Sequence, residues 1–300
     1  MHIFGRSNFN SPFNMKRVLL LLVFLPFLLP LEAKVEIKDF DIPTGVAPAF
    51  FGPNAFPVPD MLEGRTSATV KAELYAGRYW GTAVRGLDRT SDLFLRLTVP
   101  CFTERVNLSI WSPVVEFCEC GPEANAYRDI DHDGIYKDSY PGDMYFSTDV
   151  MFLVQDRHYV DAVARAAIKT ASGHRMHYAR FYDAPGYFFD VSVGRDIGFN
   201  GGKTILRVSA GTGFMCWQTD VRRQNDAVMY SAAAGLEHGP FRVLSEFGGY
   251  VGWERHGDAP MTLKTSLSWG FGAFFVKAAY QAGLMDWPYH QLRLGFGFDF

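Results

Sequence analysis

The chain has 300 residues and a formal net charge of −3, with 48% hydrophobic and only 20% charged residues. This composition is too apolar for an intrinsically disordered chain. The slightly acidic balance argues against nucleic acid as a partner. We therefore expect one large folded domain or two small ones.

The first 33 residues have a pattern typical of an export signal. Met15-Lys16-Arg17 precede an apolar run over 18–31, which ends at Leu31-Glu32-Ala33. A basic start, a short apolar run and a small residue predict a secretory signal peptide over 1–33, with Met15 as the true start if residues 1–14 are an upstream start artefact. The alternative is a membrane-anchoring helix, which Pro26 and Pro30 disfavour because they break the run.

Residues 34–66 follow, with prolines dense enough to exclude a central strand or a long helix. We expect this segment to extend into the periplasm or to lie inside a lumen.

From residue 67 to 300, hydrophobic residues alternate with polar ones at period two, which is typical of strands with one apolar face. In the last segment, every second residue from Leu292 to Phe300 is apolar. Strands are predicted near 67–79, 91–99, 105–116, 143–154, 160–169, 187–196, 203–217, 227–236, 241–253, 261–269, 273–282 and 291–300. These segments predict an all-β fold. Their even number is typical of a transmembrane antiparallel up-and-down β-barrel, here with about 12 strands.

The predicted connections alternate between short and long, as in barrels with short periplasmic turns and long surface loops. The longest span 117–142 and 170–186, and both fall on the outer side. The positions of the tryptophans in the sequence are typical of aromatic girdles at the two membrane–water interfaces. Trp80, Trp217, Trp253 and Trp287 are expected at outer strand ends and Trp269 at an inner end. A soluble β-sandwich with scattered tryptophans is the alternative.

The strand ending in Phe300 resembles the C-terminal strand of bacterial outer-membrane β-barrels. That resemblance implies the outer membrane of a Gram-negative bacterium, with membrane lipid and the barrel-insertion machinery as partners. Residues 51–60 also look like the N-terminus of an uncharacterised Bacteroidetes barrel family. Residues 169–173 and 183–194, with Gly142-Asp143, weakly resemble outer-membrane transporters linked to aromatic-compound degradation.

Charged residues on the polar strand faces must line an interior, since charge facing lipid is costly. The candidate lumen-lining residues are Lys71, Glu73, Arg96, Arg165, Lys169, Asp190, Arg207, Arg242, Glu246, Lys264, Lys277 and Arg293. Two arrangements stay open. The basic excess makes a narrow, anion-favouring pore, or the charges pair and the lumen is plugged, with residues 42–62 as the candidate plug.

The leading functional hypothesis is therefore a passive channel or transporter for small solutes. A closed-lumen structural or surface-binding barrel is the alternative. The third hypothesis is an outer-membrane lipid hydrolase, for which Ser172 with His174 or His177 is the only candidate cluster. The His-x-Ser pattern of the known calcium-dependent outer-membrane phospholipases is missing, so no catalytic residue is assigned.

No organic cofactor is expected, but the 117–142 loop contains a candidate metal site. Asp129, Asp131 and Asp133 precede Gly134 and resemble the first half of a calcium-binding loop. Tyr140 stands where the bidentate glutamate would be, so a solvated acidic turn is the alternative. Among the cysteines, Cys118 or Cys120 could pair with Cys216 if the loop folds inward.

Overall fold

The computed structural model describes residues 47–60, 62–173, 178–181, 185–218, 225–253 and 255–300. Within these ranges the chain forms thirteen strands and one six-residue helix, α1 (Pro122–Tyr127). The strands are β1 (Lys71–Gly81), β2 (Asp88–Cys101), β3 (Thr103–Cys120), β4 (Tyr136–Tyr140), β5 (Tyr145–Leu153), β6 (Asp161–Lys169), β7 (Gly186–Phe199), β8 (Thr204–Trp217), β9 (Asn225–His238), β10 (Phe241–Gly252), β11 (Met261–Phe271), β12 (Phe274–Met285) and β13 (Tyr289–Asp299).

Twelve of the described strands close into an antiparallel barrel. Each pairs with its neighbours along the chain, and β1 pairs with β13 from Lys71↔Asp299 to Gly81↔Tyr289. The extra strand, β4, pairs only with β3. The outer part of β3, residues 116–120, pairs with β4, and its inner part, residues 106–111, pairs with β5. Closure pairs the backbone groups of both would-be edges, which a sheet exposed to lipid requires.

The side chains alternate between lipid and lumen, with the apolar face outside. In β13, Leu292, Leu294, Phe296 and Phe298 are 39–54% exposed, whereas Gln291 is 5% exposed on the other face. The same outward row continues on other strands at Leu93, Leu95, Leu97, Leu108, Phe146, Val150, Phe189, Val191, Val193, Val208, Val228 and Val276. A ring of large hydrophobics on the outside of a closed barrel is the surface that a bilayer covers.

The two ends of the barrel differ in their connections. The inner end has short turns, which include Phe102 alone between β2 and β3 and the two-residue turns 239–240 and 272–273. Gly239 (φ 56°) and Gly272 (φ 66°) adopt the left-handed conformation that tight hairpins need. The outer end has the long connections 121–144 and 170–185. No helix in the described ranges is long and apolar enough to cross a membrane.

The segment before β1 runs down through the barrel. At the outer end, the Ala49 amide donates to the carbonyl of Gly257, which lies in the β10–β11 loop (3.1 Å). At the inner end, the Ser67 amide donates to Asn107 Oδ1 (2.6 Å), and β1 then begins. Residues 47–60 are called the plug below, because they fill the outer half of the lumen.

The twelve barrel strands were correctly predicted from the sequence, as was the outward direction of their apolar faces. Trp80, Trp253 and Trp269 are exposed at the barrel ends, as the girdle pattern predicts. Trp217 and Trp287 also lie at the outer end, as predicted, but their assignment to a membrane girdle was wrong, because they point inward and pack beside the plug. The predicted signal peptide lies in residues 1–33, outside the described residues, and stays a prediction.

Candidate functional site: the barrel lumen

Aromatic side chains of the wall and outer loops hold the plug by its carbonyl groups. The hydroxyls of Tyr127, Tyr289 and Tyr250 donate to the carbonyls of Ala49 (3.2 Å), Phe51 (2.7 Å) and Phe56 (3.2 Å). The Trp287 indole donates to the Pro53 carbonyl (3.3 Å). None of these contacts belongs to the hydrogen-bond ladder between the barrel strands.

Asn54 anchors the middle of the plug between two buried wall carboxylates. Its Nδ2 donates to Glu116 Oε2 (2.7 Å) and to Asp92 Oδ2 (3.3 Å). The Tyr79 hydroxyl lies 2.9 Å from Asn54 Oδ1 and 2.7 Å from Asp92 Oδ2, and its single proton serves one of these acceptors at a time. Arg293 lies 3.2 Å from the same Asp92 oxygen. Each polar atom of the Asn54 side chain thus has a partner within hydrogen-bonding distance.

Arg180, from the β6–β7 loop, covers Asn54 from the outer side. Its side chain is fully buried and donates to Glu116 Oε1 (2.7 Å) and Thr90 Oγ1 (2.6 Å). Burial alone would lower the pKa of Arg180, but Glu116 and its other neighbours hold that pKa above the ordinary value, so the guanidinium stays charged. A Cβ on Gly52 of the plug would lie 2.7 Å from Arg180 Cζ, so a larger residue at this position would have to displace the buried Arg180 side chain.

The apolar part of the plug packs against inward aromatic residues. Phe56 is 2% exposed, and its ring centroid lies 6.0 Å from that of Trp217 and 5.2 Å from that of Phe51. Phe188, Met215 and Met229 belong to the same buried cluster. Within the described residues, the outer half of the lumen is therefore a packed core, with a cavity of about 80 Å³ left beside Pro53, Asn54 and Pro57.

The inner half of the lumen is an open polar cavity of about 570 Å³. It extends from Asp60 to the inner rim, where Thr69 and the Gly239-Pro240 turn line it. The charged strand residues that line it number six basic and four acidic. They are Lys71, Arg96, Arg165, Arg242, Lys264 and Lys277, and Glu73, Asp149, Glu237 and Glu246.

Two carboxylates of the N-terminal segment enter this basic surface. Asp60 accepts from Lys264 Nζ (2.6 Å) and from Arg96 (3.2 Å). Glu63 accepts from Arg242, and its backbone carbonyl accepts from Arg207 Nε (2.9 Å). The segment therefore supplies negative charge where the barrel wall carries a positive excess.

The structure places the candidate lumen residues on the inner face and brings most of them into pairs. The pairs are Arg165–Asp190 (2.7 Å), Lys169–Asp143 (2.6 Å), Arg207–Asp196 (2.7 Å), Lys264–Glu246 (2.8 Å), Arg293–Asp92 (3.2 Å), Arg242–Glu237 (2.9 Å), Arg96–Asp60 (3.2 Å) and Lys71–Asp299 (3.7 Å). Glu73 accepts from the Tyr75 hydroxyl. Lys277 lines the cavity without an ion pair to any described residue, and its Nζ lies 5.8 Å from the centre of the Tyr75 ring.

The pattern of pairing bears on the two arrangements that the sequence left open. The charges pair, and the plug fills the outer half, yet the inner half remains an open cavity of about 570 Å³. Within the described residues, plug residues 47–60 fall in the predicted segment 42–62, of which 42–46 and 61 lie outside the description. The lumen is thus closed by the plug in its outer half and open at its inner end.

The other candidate sites are less developed. Asp129, Asp131 and Asp133 are exposed. In the described residues, no three His, Cys, Asp or Glu side chains lie close enough together to hold one metal ion, so calcium binding stays a prediction. Ser172 Oγ lies 2.7 Å from Thr170 Oγ1, while His174 and His177 fall outside the described residues. The four cysteines form no disulfide.

Several residues of the site were missed in the sequence. Asn54 meets Glu116, and Asp60 meets Arg96, only because the plug enters the barrel, while Arg180 reaches Glu116 from an outer loop. One signal was available, because Asn54 and Asp60 are polar residues within an otherwise apolar, proline-rich stretch.

No protein-family model matches the chain, and no curated protein matches it. Among solved structures, the chain resembles the KdgM porin (8% identity, TM-score 0.46), covering 76% of this chain and 99% of that one. It also resembles the NanC porin (8% identity, TM-score 0.47), covering 76% and 100%. The transport unit of the autotransporter AIDA-I from Escherichia coli is a third (10% identity, TM-score 0.43), covering 82% and 95%.

Similarity at this level extends only to the general barrel, so the assignment rests on the geometry of this chain. Its barrel strands have 9 to 18 residues, and a tilted strand needs about 9–11 to cross a bilayer. The sheet is closed, its outer face is apolar, and its inner face is polar and charged. The chain is therefore a transmembrane β-barrel of the bacterial outer-membrane type.

Proposed function

We propose that the protein is a gated channel for small solutes, closed in this conformation by its own plug. The observation that carries the proposal is the division of the lumen into a sealed outer half and an open, polar inner half of about 570 Å³. A barrel that only had to be stable would gain by filling this inner half with apolar side chains, as small barrels do.

The way the plug is held supports gating. It is attached by side-chain contacts and a few amide bonds, such as the Gly52 amide to the Ala179 carbonyl (2.7 Å). Pro53, Pro57 and Pro59 have no amide hydrogen, so their release leaves fewer unpaired donors. The sheet ladder stays intact when the plug moves.

The alternative function is a closed-lumen structural or surface-binding barrel. The buried network of Arg180, Glu116, Asn54 and Asp92 favours it, because removing Asn54 leaves two carboxylates facing each other in a buried site. In that case the plug is a permanent core and the inner cavity is only a vestibule.

Single-channel recording of the refolded chain in a planar bilayer separates the two functions. The gated channel predicts long closed periods interrupted by brief openings, and more frequent openings when the Gly52→Ala substitution displaces the plug from Arg180. Complete silence of both proteins, each shown to be folded by a heat-dependent gel shift, would support the closed-lumen barrel instead.

We also propose that the barrel-insertion machinery recognises β13. The support is its exposed outward row from Leu292 to Phe298, followed by Phe300, which is 70% exposed. Replacing Phe300 with Ser should slow assembly into outer-membrane vesicles that contain the machinery, without changing spontaneous folding in detergent. Equal assembly rates would contradict this.

A further inference from the structure

We infer that the inner cavity contains a carboxylate-binding site, which Asp60 of the plug occupies as an internal ligand. The site would take a small carboxylate-bearing solute that enters from the inner end. This inference rests on the proposed channel function for its biological meaning, but the binding site can be tested separately.

The first support is the set of cations around Asp60. Lys264 Nζ and the Arg96 guanidinium contact its two oxygens separately, at 2.6 Å to Oδ1 and 3.2 Å to Oδ2. Lys277 lines the same cavity as Asp60, Arg96 and Lys264. The three cations come from β2, β11 and β12, so rigid strands and not the plug determine their positions.

The second support is that the wall only partly neutralises these cations, since Glu73 and Glu246 supply two negative charges against the three positive charges of Arg96, Lys264 and Lys277. Lys264 has Glu246 as a wall partner, whereas the ion-pair partner of Arg96 is Asp60, and Lys277 has no ion pair among the described residues. Arg96 is held in place without Asp60, because its guanidinium lies 5.3 Å from the centre of the Trp111 ring and 5.6 Å from that of Phe94. A cation that is oriented in advance and has lost its carboxylate is ready to bind another.

The third support is access. Arg96, Lys264, Lys277 and Asp60 all line the cavity that reaches the inner rim at Thr69 and Pro240. A solute can therefore reach this site while the plug still closes the outer half. By displacing the Asp60 side chain, it would remove one of the ion-pair anchors of the plug, which couples binding at the inner end to opening.

Asp60 acts as a tethered competitor, and removing its charge should reveal the site. An internal ligand that occupies the site 90% of the time or more weakens apparent affinity about tenfold or more. Asp60→Asn keeps the size of the side chain but removes the charge, so a small dicarboxylate should bind this variant at least about tenfold more tightly.

Calorimetric titration of succinate into the refolded barrel at low salt tests the site, with neutral succinamide as the matched probe. We expect weak heats with the unmodified chain, tighter binding with Asp60→Asn, and loss of that gain in Asp60→Asn/Lys277→Gln. Glu119→Gln removes a carboxylate that pairs with Lys137 at the outer end, and it should leave the affinity unchanged.

The inference is overturned if folded Asp60→Asn binds succinate no more tightly than the unmodified chain, or if Lys277→Gln does not weaken that binding. Succinamide binding as well as succinate would overturn it too. A silent bilayer with strong succinate binding to Asp60→Asn would remove the channel function and leave the site. Conductance without succinate binding would remove the site and leave the channel.

Discussion

Phe56 is the side chain whose truncation should open the barrel most directly. It is 2% exposed and packs on Trp217 and Phe51 in the sealed half of the lumen. Truncating a buried phenylalanine to alanine costs about 3–5 kcal/mol. This loss falls on the closed state, because Phe56 of a released plug is no longer packed in that core.

Since about 1.4 kcal/mol corresponds to a factor of ten, Phe56→Ala should raise the ratio of open to closed barrels by roughly 10² to 4 × 10³. A released Phe56 keeps some apolar contacts in the lumen, so we expect a value near the lower limit. Efflux of a small anion from proteoliposomes measures this ratio, since only open barrels conduct.

Phe146→Ala is the matched control, because it removes the same atoms from the lipid-facing side of β5, where Phe146 is 38% exposed. It should leave efflux unchanged. An unchanged efflux rate with folded Phe56→Ala would refute the view that packing of the plug keeps the channel shut.

Three further predictions concern stability and binding. Leu294→Arg places a charge in the middle of the lipid-facing row and should cost about 2–4 kcal/mol of folding free energy in vesicles, whereas Leu294→Ala should cost much less; equal effects would contradict a lipid-facing position. Arg180→Met leaves Glu116 buried without its cation, so it should lower the free energy of unfolding by about 3–5 kcal/mol in denaturant titrations. The double variant Arg180→Met/Glu116→Gln should largely restore this stability. An Arg180→Met variant as stable as the unmodified chain would contradict the pairing. If the 129–134 loop binds calcium, calorimetry should show heat that Asp131→Asn weakens, and no heat from the folded chain would end that hypothesis.

The barrel was predictable from the sequence because the bilayer imposes a strict local rule. Each strand must place apolar side chains outward at every second position, as in Leu93, Leu95 and Leu97, so the pattern is visible without knowing the partner strand. The same rule predicts the side of the sheet on which Arg96 and Lys264 lie, but not which groups they contact.

The plug contacts were less predictable because they depend on long-range packing. Asn54 meets Glu116, 62 residues away, and Asp60 meets Lys264, 204 residues away. Trp217 and Trp287 show the same limit, since an aromatic residue at a strand end fits a membrane girdle and a buried plug contact equally well in sequence. The short strand β4 was also missed, because its pairing with the part of β3 above the barrel carries no lipid-facing pattern.

The central claim is that residues 47–60 are seated inside the barrel, and hydrogen exchange of the refolded chain in micelles tests it most directly. The amides of Ala49, Gly52 and Ala55 donate to the carbonyls of Gly257 (3.1 Å), Ala179 (2.7 Å) and Gly52 (3.1 Å) in buried surroundings. We predict that these amides exchange at least about 10²-fold more slowly than in an unstructured peptide, and that Phe56→Ala removes much of this protection. Exchange of residues 47–60 at the unstructured rate, while the barrel strands stay protected, would contradict the account.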